Sequence, residues 1–242
     1  MTDPARLFAA IDATWPPAEI AERDGWCLRR GEGGGRRVSA ASPLADGAGG
    51  IAAAEAAMRA WGQAPLFRVT PEEALTDAAL AEAGYAVEAP VVVYAAAVAD
   101  LADDADETAR IIRVSTRVAL LDEIWQAGGI GPARRAVMAR AAGPRVALMV
   151  RLGDRPAGCG FVAADGEVAM LHAVEVLERF RRQGAGVQLA RGAANWAREQ
   201  GAATLALAVE RDNIPARALY AGLGMAEVAR YHYRRPPEGG RP

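Results

Sequence analysis

The sequence predicts an α/β (α+β) chain built from two related halves, each a sheet flanked by helices. Three observations lead there. Strand-like apolar runs alternate with helix-period segments along most of the 242 residues. An acidic run, Asp100–Glu107, separates two such series and predicts a linker, dividing the chain into domains 1–104 and 105–242. The two series also share their punctuation. Gly49 to Trp61 has the spacing of Gly184 to Trp196, and Leu80–Tyr85 stands before a strand as Tyr220–Met225 does in the second half. Strand–helix–strand units recur in many folds, so coincidence is the competing reading of the repeat.

In the first half, Ala5–Thr14 has a helical pattern stopped by Pro16 and Pro17. Two extended segments, Trp26–Arg30 and Arg36–Ala41, flank Gly31–Gly35 and predict a hairpin. A helix is expected over Ile51–Trp61 and a strand over Leu66–Val69. Thr70-Pro71-Glu72-Glu73 reads as cap, first-turn proline and acidic first turn of a helix that ends at Gly84. Strand Ala86–Ala95 closes the half. In the second, Ile111–Val114 is a strand, and Thr116–Trp125 and Pro132–Ala142 are helices around the bend Gly128–Gly131. Strands Arg145–Leu152, Ala157–Ala163 and Val168–Leu177 come next, joined by turns. A helix over Gly184–Gln200, a strand Thr204–Val209, a helix Ile214–Leu223 and a strand Glu227–Tyr233 complete it.

Composition removes several function classes. With 52% hydrophobic and 24% charged residues the chain is globular in balance, not disordered or fibrous. Its 28 basic and 30 acidic residues leave a net charge of −2, so no basic excess draws it onto nucleic acid or an anionic membrane. Every basic residue is Arg, which excludes a catalytic Lys or Schiff base. Cys27 and Cys159 are far apart and predict buried thiols, not a disulfide framework. His172 and His232 are the only imidazoles, so no metal site is expected. No apolar run reaches spanning length and no leader pattern opens the chain, so a soluble, cytoplasmic protein is expected.

The segment that carries chemistry is a strand running into Arg181-Arg182-Gln183-Gly184-Ala185-Gly186, where a helix starts. A helix N-terminus presents unpaired N–H groups and partial positive charge. Glycines admit close approach, and Arg179, Arg181 and Arg182 add cations. Such a loop suits a pyrophosphate. A helix cap with solvated arginines is the plainer reading of this loop taken alone.

The residues C-terminal to the loop decide between them. The helix leads to a strand and then to Asn213, Ala216, Leu219-Tyr220 and Leu223-Gly224-Met225 before a last strand. This series, with Arg181, Gly184 and Gly186 matching R/Q-x-x-G-x-G/A, resembles the GCN5-related N-acetyltransferase (GNAT) family over roughly Arg110–Tyr233; Met225 stands where Phe is usual. The resemblance implies two acyl-CoA N-acyltransferase-like domains, each a mixed, mostly antiparallel sheet with flanking helices. It implies acetyl-CoA as co-substrate, an amine acceptor, and direct transfer in a ternary complex. Pantetheine would lie where Val168–Leu177 and Thr204–Val209 part, pairing with backbone near Val174 and Val176. The pyrophosphate would sit on the amides of Arg182, Gln183, Gly184, Ala185, Gly186 and Val187, with Asn213 and Ala216 also at the donor.

Transfer from a thioester to an amine needs a neutral amine, a donor to the developing oxyanion, and a proton for the departing thiolate. The family pattern places Tyr220 as that proton donor; otherwise it is a packing tyrosine. A backbone N–H at Val174 or Val176 is the candidate oxyanion donor. Leu171-His172-Ala173-Val174 resembles the arylalkylamine N-acetyltransferase branch, which implies His172 as base, although Met170 stands where that branch has a second His. Strand alternation puts His172 on one face with Val174 and Val176, and Glu175 on the other. A strand His bonded within the core is the equally open alternative. His232 and Tyr231 either line the acceptor pocket or pack. In the first half Leu80 replaces Tyr220 and Asp46 precedes the glycine cluster, implying a degenerate domain. Two rival functions are an acyl-CoA-binding sensor without turnover and a dinucleotide-binding oxidoreductase. The latter is disfavoured by the missing third glycine.

Overall fold

A computed structural model describes residues 3–47, 49–102, 111–116 and 118–237. In chain order the elements are α1 (Pro4–Thr14), β1 (Glu19–Arg23), β2 (Trp26–Arg30), β3 (Ser42–Pro43), α2 (Ile51–Ala60), β4 (Phe67–Val69), α3 (Ala74–Glu82), β5 (Ala86–Ala97) and the single turn α4 (Val98–Leu101). After them come β6 (Ile111–Val114), α5 (Ala119–Ala127), α6 (Pro132–Arg140), β7 (Arg145–Leu152), β8 (Arg155–Asp165), β9 (Val168–Val176), α7 (Ala185–Glu199), β10 (Thr204–Glu210), α8 (Ile214–Gly222) and β11 (Ala226–Arg235). The fold is the mixed, mostly antiparallel sheet with flanking helices that the sequence predicts.

The chain forms two compact units, and they do not divide at 104/105. One contains residues 1–16, 93–209 and 213–228; the other contains 17–92, 210–212 and 229–242. Each strand that ends a half, β5 or β11, contributes to both units. In the first unit β10 neighbours β5, and in the second β4 pairs antiparallel with β11, His232 opposite Val69. A cut in the linear sequence cannot represent two halves that exchange their last strands. Of the expected linker, Asp100 and Leu101 lie in the last turn of α4, while 103–107 lie outside the described residues.

Unit one is built on the order β5-β10-β9-β8-β7-β6, with α7 against β6 to β9. The sheet side of α7 is made of small residues, Ala190, Ala193, Ala194 and Ala197, all buried, so the helix lies close to the strands. Leu148, Val150, Met170, Leu189 and Leu205 are fully buried. Unit two centres on Trp26, Leu28, Met58, Phe67, Val69, Leu80 and Tyr85, where the Phe67 ring meets those of Trp26 and Tyr85 edge-on.

Two local expectations need correction in unit two. The hairpin partner of β2 is β1, with Arg23 opposite Trp26 across a turn in which Asp24 and Gly25 have φ of 48° and 82°. That is the tight-turn chemistry of an Asp-Gly pair. Arg36–Val38 is instead a 3₁₀ turn, and β3 takes the other edge of β2. Thr70–Glu73 is a turn before α3, not its first turn: Glu73 N–H donates to the Thr70 carbonyl at 3.1 Å, and the Glu73 carboxylate accepts from Thr70 N–H at 2.7 Å.

Candidate active site

The site is the place in unit one where two neighbouring strands part. β10 pairs in parallel with β9 only at Thr204–Val168, Leu205–Ala169 and Ala206–Met170. Past Met170 the two strands lose their ladder while β9 stays paired to β8 as far as Gly158–Val176. Leu177 N–H donates to the Ala157 carbonyl at 2.9 Å, so alternation turns the N–H and C=O of Val176 and Val174 away from β8, toward the gap. The backbone of these two valines thus faces the gap, where the Val176 carbonyl accepts from Nε of Arg181 at 3.1 Å.

A bulge resets the faces of β9. Cys159 lies opposite Glu175 but Phe161 lies opposite His172, so β9 carries one extra residue there. Ala173 sits at φ 50°, and the indole N–H of Trp125 donates to its carbonyl at 2.9 Å. One inserted residue inverts alternation beyond it. Glu175, not Val174 or Val176, therefore shares the face of His172. A β-carbon built on Gly160 would lie 3.4 Å from Leu171 and 3.6 Å from Val174, which places those side chains together on the opposite face. The expected grouping of His172 with the two valines is corrected by this bulge.

His172 is buried under the end of α1. The Thr14 hydroxyl donates to the Ala10 carbonyl at 2.6 Å, so its oxygen accepts from Nε2–H of His172 at 2.9 Å. The imidazole lies 5.1 Å from the Trp15 ring and is stacked on Phe161 at 6.4 Å. This is the core-bonded reading of the residue. Glu175 is more open, with its side chain 16% exposed, and a β-carbon on Gly128 would meet its Oε2 at 2.2 Å. It contacts the α5–α6 bend and Arg181 of its own unit.

The loop before α7 is exposed from Glu178 to Gly184, apart from half-buried Phe180. Arg182 and Gly184 have φ of 62° and 85°, and Gly184 is the residue at which α7 starts. A β-carbon on Gly184 would meet nothing within 4 Å, so the space beyond it is open. The first N–H groups of α7, at Ala185, Gly186 and Val187, have no intrahelical acceptor. Three predicted ligands have further work. Gly186 is needed for packing, since a β-carbon there would lie 2.5 Å from Leu219 on α8. Arg181 turns back onto β9, its Nε donating to the Val176 carbonyl at 3.1 Å and its Nη2 lying 3.4 Å from the Glu175 carboxylate. Gln183 Nε2 donates to the Arg179 carbonyl at 2.9 Å and braces the loop.

Asn213 caps α8, its side chain accepting from Ala216 N–H at 3.2 Å. Tyr220 on the same helix is 6% exposed, with its ring 6.3 Å from that of Tyr94. Burial pushes its hydroxyl up to about 12, so it stays protonated at neutral pH. Tyr231 and His232 belong to unit two. His232 Nε2 lies 2.8 Å from Asp77, and Tyr231 packs edge-on against Tyr233. Both are engaged in packing there.

Residues 117–225 match the acetyltransferase (GNAT) family. This segment is similar to the GNAT family of acetyltransferases. A relative is an uncharacterized N-acetyltransferase of Bacillus subtilis, YobR, 36% identical over 61 residues; the match spans 25% of this chain and 25% of that protein. The fold is that of a GCN5-related N-acetyltransferase from Kribbella flavida, with a TM-score of 0.71 and 18% identity over 99% of this chain and 97% of that one. A tandem GNAT protein from the clavulanic acid biosynthesis pathway aligns with a TM-score of 0.51 and 16% identity, covering 76% of this chain and 67% of the other. None of the described helices of this chain is long and apolar enough to cross a membrane, and the described residues contain no cluster of metal-ligating side chains.

Proposed function

We propose that this protein is a tandem-domain N-acetyltransferase that carries acetyl from acetyl-CoA directly to a primary amine in a ternary complex. One observation carries the reading: the strands β9 and β10 part, leaving a backbone edge of β9 that is not paired to β10 and that leads into the exposed N-terminus of α7. The edge offers amide-sized donors and acceptors at Val174 and Val176. The α7 terminus, with the amides of Arg182 to Val187, offers a site for a pyrophosphate. These are the two polar parts of a coenzyme A molecule, in order. The donor supplies an activated acetyl group, and the chain supplies placement and proton handling.

Tyr220 holds a proton that burial keeps in place, and in this reading its hydroxyl donates to the sulfur as negative charge grows there. A phenol raised to about 12 is a poor full acid toward a thiolate, whose parent thiol sits near ~8.5, so its contribution is mostly a hydrogen bond. A backbone N–H on the β9 edge faces the developing oxyanion. Glu175 is the better candidate to accept the amine proton, because it is on the bulged face and partly open. His172 acts by fixing α1 over that face through Thr14. The first half is in this reading a degenerate repeat, with Leu80 where Tyr220 stands.

The test is a release assay for free coenzyme A over amines, aminoglycosides, polyamines, amino acids and N-terminal peptides. An acceptor that releases thiol supports the reading; tight CoA binding with no release on any of them favours a sensor. With the acceptor found, Tyr220→Phe is expected to lower kcat by about 10²-fold, the low end for a proton donor, with CoA affinity retained. A variant with wild-type kcat under rate-limiting chemistry removes the hydroxyl from the mechanism.

A further inference from the structure

We propose that Arg181 is a positioning residue that holds Glu175 until coenzyme A binds, so that donor binding itself releases the proton acceptor; this rests on the proposed donor site and the proposed role of Glu175. The guanidinium makes two contacts at the end of β9. Its Nε donates to the Val176 carbonyl at 3.1 Å and its Nη2 is 3.4 Å from Glu175 Oε1. Both partners are groups the reaction needs. The Val176 carbonyl lies on the edge not paired to β10, where a bound pantetheine takes the space the guanidinium fills. The Glu175 carboxylate is wedged between the Gly128 backbone on one side and Arg181 on the other. Removing the guanidinium opens the second of these flanks to an incoming amine.

The displaced side chain has a place to go. Arg181 is 58% exposed and lies on the loop that leads into Gly184 and the α7 terminus. A pyrophosphate there attracts the same cation that pantetheine evicts from β9. One ligand thus moves one arginine from a carboxylate to a phosphate, and a free carboxylate remains for the amine. An exposed pair of this kind has a coupling of at most about 1 kcal/mol, or about fivefold in affinity.

The experiment is titration calorimetry of the full chain with coenzyme A. Glu175→Gln keeps the shape of the side chain and weakens its hold on Arg181, so CoA should bind about two- to fivefold tighter. Arg181→Ala should bind more weakly than wild type, and adding Glu175→Gln to it should change nothing further. A merely structural role for either residue gives no gain in affinity. Unchanged or weaker binding in Glu175→Gln overturns the proposal. A gain that persists in the Arg181→Ala background also overturns it, because the cause is then simple removal of negative charge near the phosphate. If the wild-type chain binds no coenzyme A, the donor-site reading itself fails and this proposal falls with it.

Discussion

The units α3–β5 and α8–β11 have the same backbone and different chemistry. Tyr85 N–H bonds the Leu80 carbonyl at 3.0 Å, and Met225 N–H bonds the Tyr220 carbonyl at 3.1 Å. Gly84 and Gly224 stand next to them with φ of 84° and 80°, a left-handed end that glycine accepts without strain. The offset that brings Leu80 onto Tyr220 also brings Asp77 onto Arg217 and Tyr94 onto Arg234. In unit two Asp77 grips Arg234 through two contacts of 2.8 and 2.9 Å; in unit one Arg217 donates to the Tyr94 hydroxyl at 3.3 Å. Each helix thus holds the last strand of the opposite half at the equivalent position, with different side chains doing it. The two helices thus end in the same hydrogen bond at the positions that the sequence pattern pairs.

The helices α2 and α7 part company in the same way. Both begin at a left-handed glycine, Gly50 at φ 73° and Gly184 at 85°. Before α7 stand Arg179, Arg181 and Arg182. Before α2 stands Asp46, whose carboxylate accepts from the Thr76, Leu75 and Gly47 N–H groups and is held below its ordinary range mainly by the Thr76 bond. Backbone shape has persisted in both halves, while the charge suited to an anion exists in one. The lesson is that the shared shape comes from caps and glycines, and the local charge comes from the side chains set on it.

The largest expected effect breaks this asymmetry. Gly184→Asp should abolish coenzyme A binding, since it forces a side chain into a left-handed position at a cost of about 1–3 kcal/mol and faces a carboxylate toward phosphate. Calorimetry on the wild type should give one site per chain; a second site, or unchanged affinity in the variant, removes the α7 loop from the donor site. Next in size is Asp77→Asn. Arg234 foremost, then His232, holds the Asp77 carboxyl below its ordinary 3.8. A depressed carboxyl stabilises the fold above that pH and loses the contribution as pH falls through its folded value. The variant should lose about 1–2 kcal/mol at neutral pH, and the gap from wild type should close below about pH 4. Denaturant melts of both proteins across about pH 2–7 check this; a gap that stays constant with pH contradicts the ionic role. The equivalent Arg217→Gln should cost less, its contacts being longer. The smallest effect is Asn213→Ala, about 1 kcal/mol from the lost cap on α8. Thermal unfolding measures it, and no shift in Tm means the cap bond does not form.

Local signals in the sequence were enough for most of the elements. Arg145–Leu152 and Ile111–Val114 agree with β7 and β6 end to end, and α7 starts one residue after the glycine that marks it. These boundaries are set by caps, glycines and periodicity, which act within a few residues of chain. The Asp24-Gly25 turn is equally local, but the run Gly31–Gly35 is the more conspicuous signal in the sequence. The family resemblance added the expectation of a donor loop, of parted strands and of a role for Tyr220; in the structure β9 and β10 pair only as far as Met170 and Ala206.

What the sequence alone determined is most of the helices and strands and which half carries the cationic loop, because each depends on neighbours along the chain. Tertiary structure decided the rest. The bulge at Ala173 depends on how β9 registers with β8, and it moved Glu175 to the face of His172. The placing of Thr14 over His172 joins residues far apart in the chain. The exchange of β5 and β11 depends on which strand edge each one meets, and a period of two along a strand is the same whichever partner it takes.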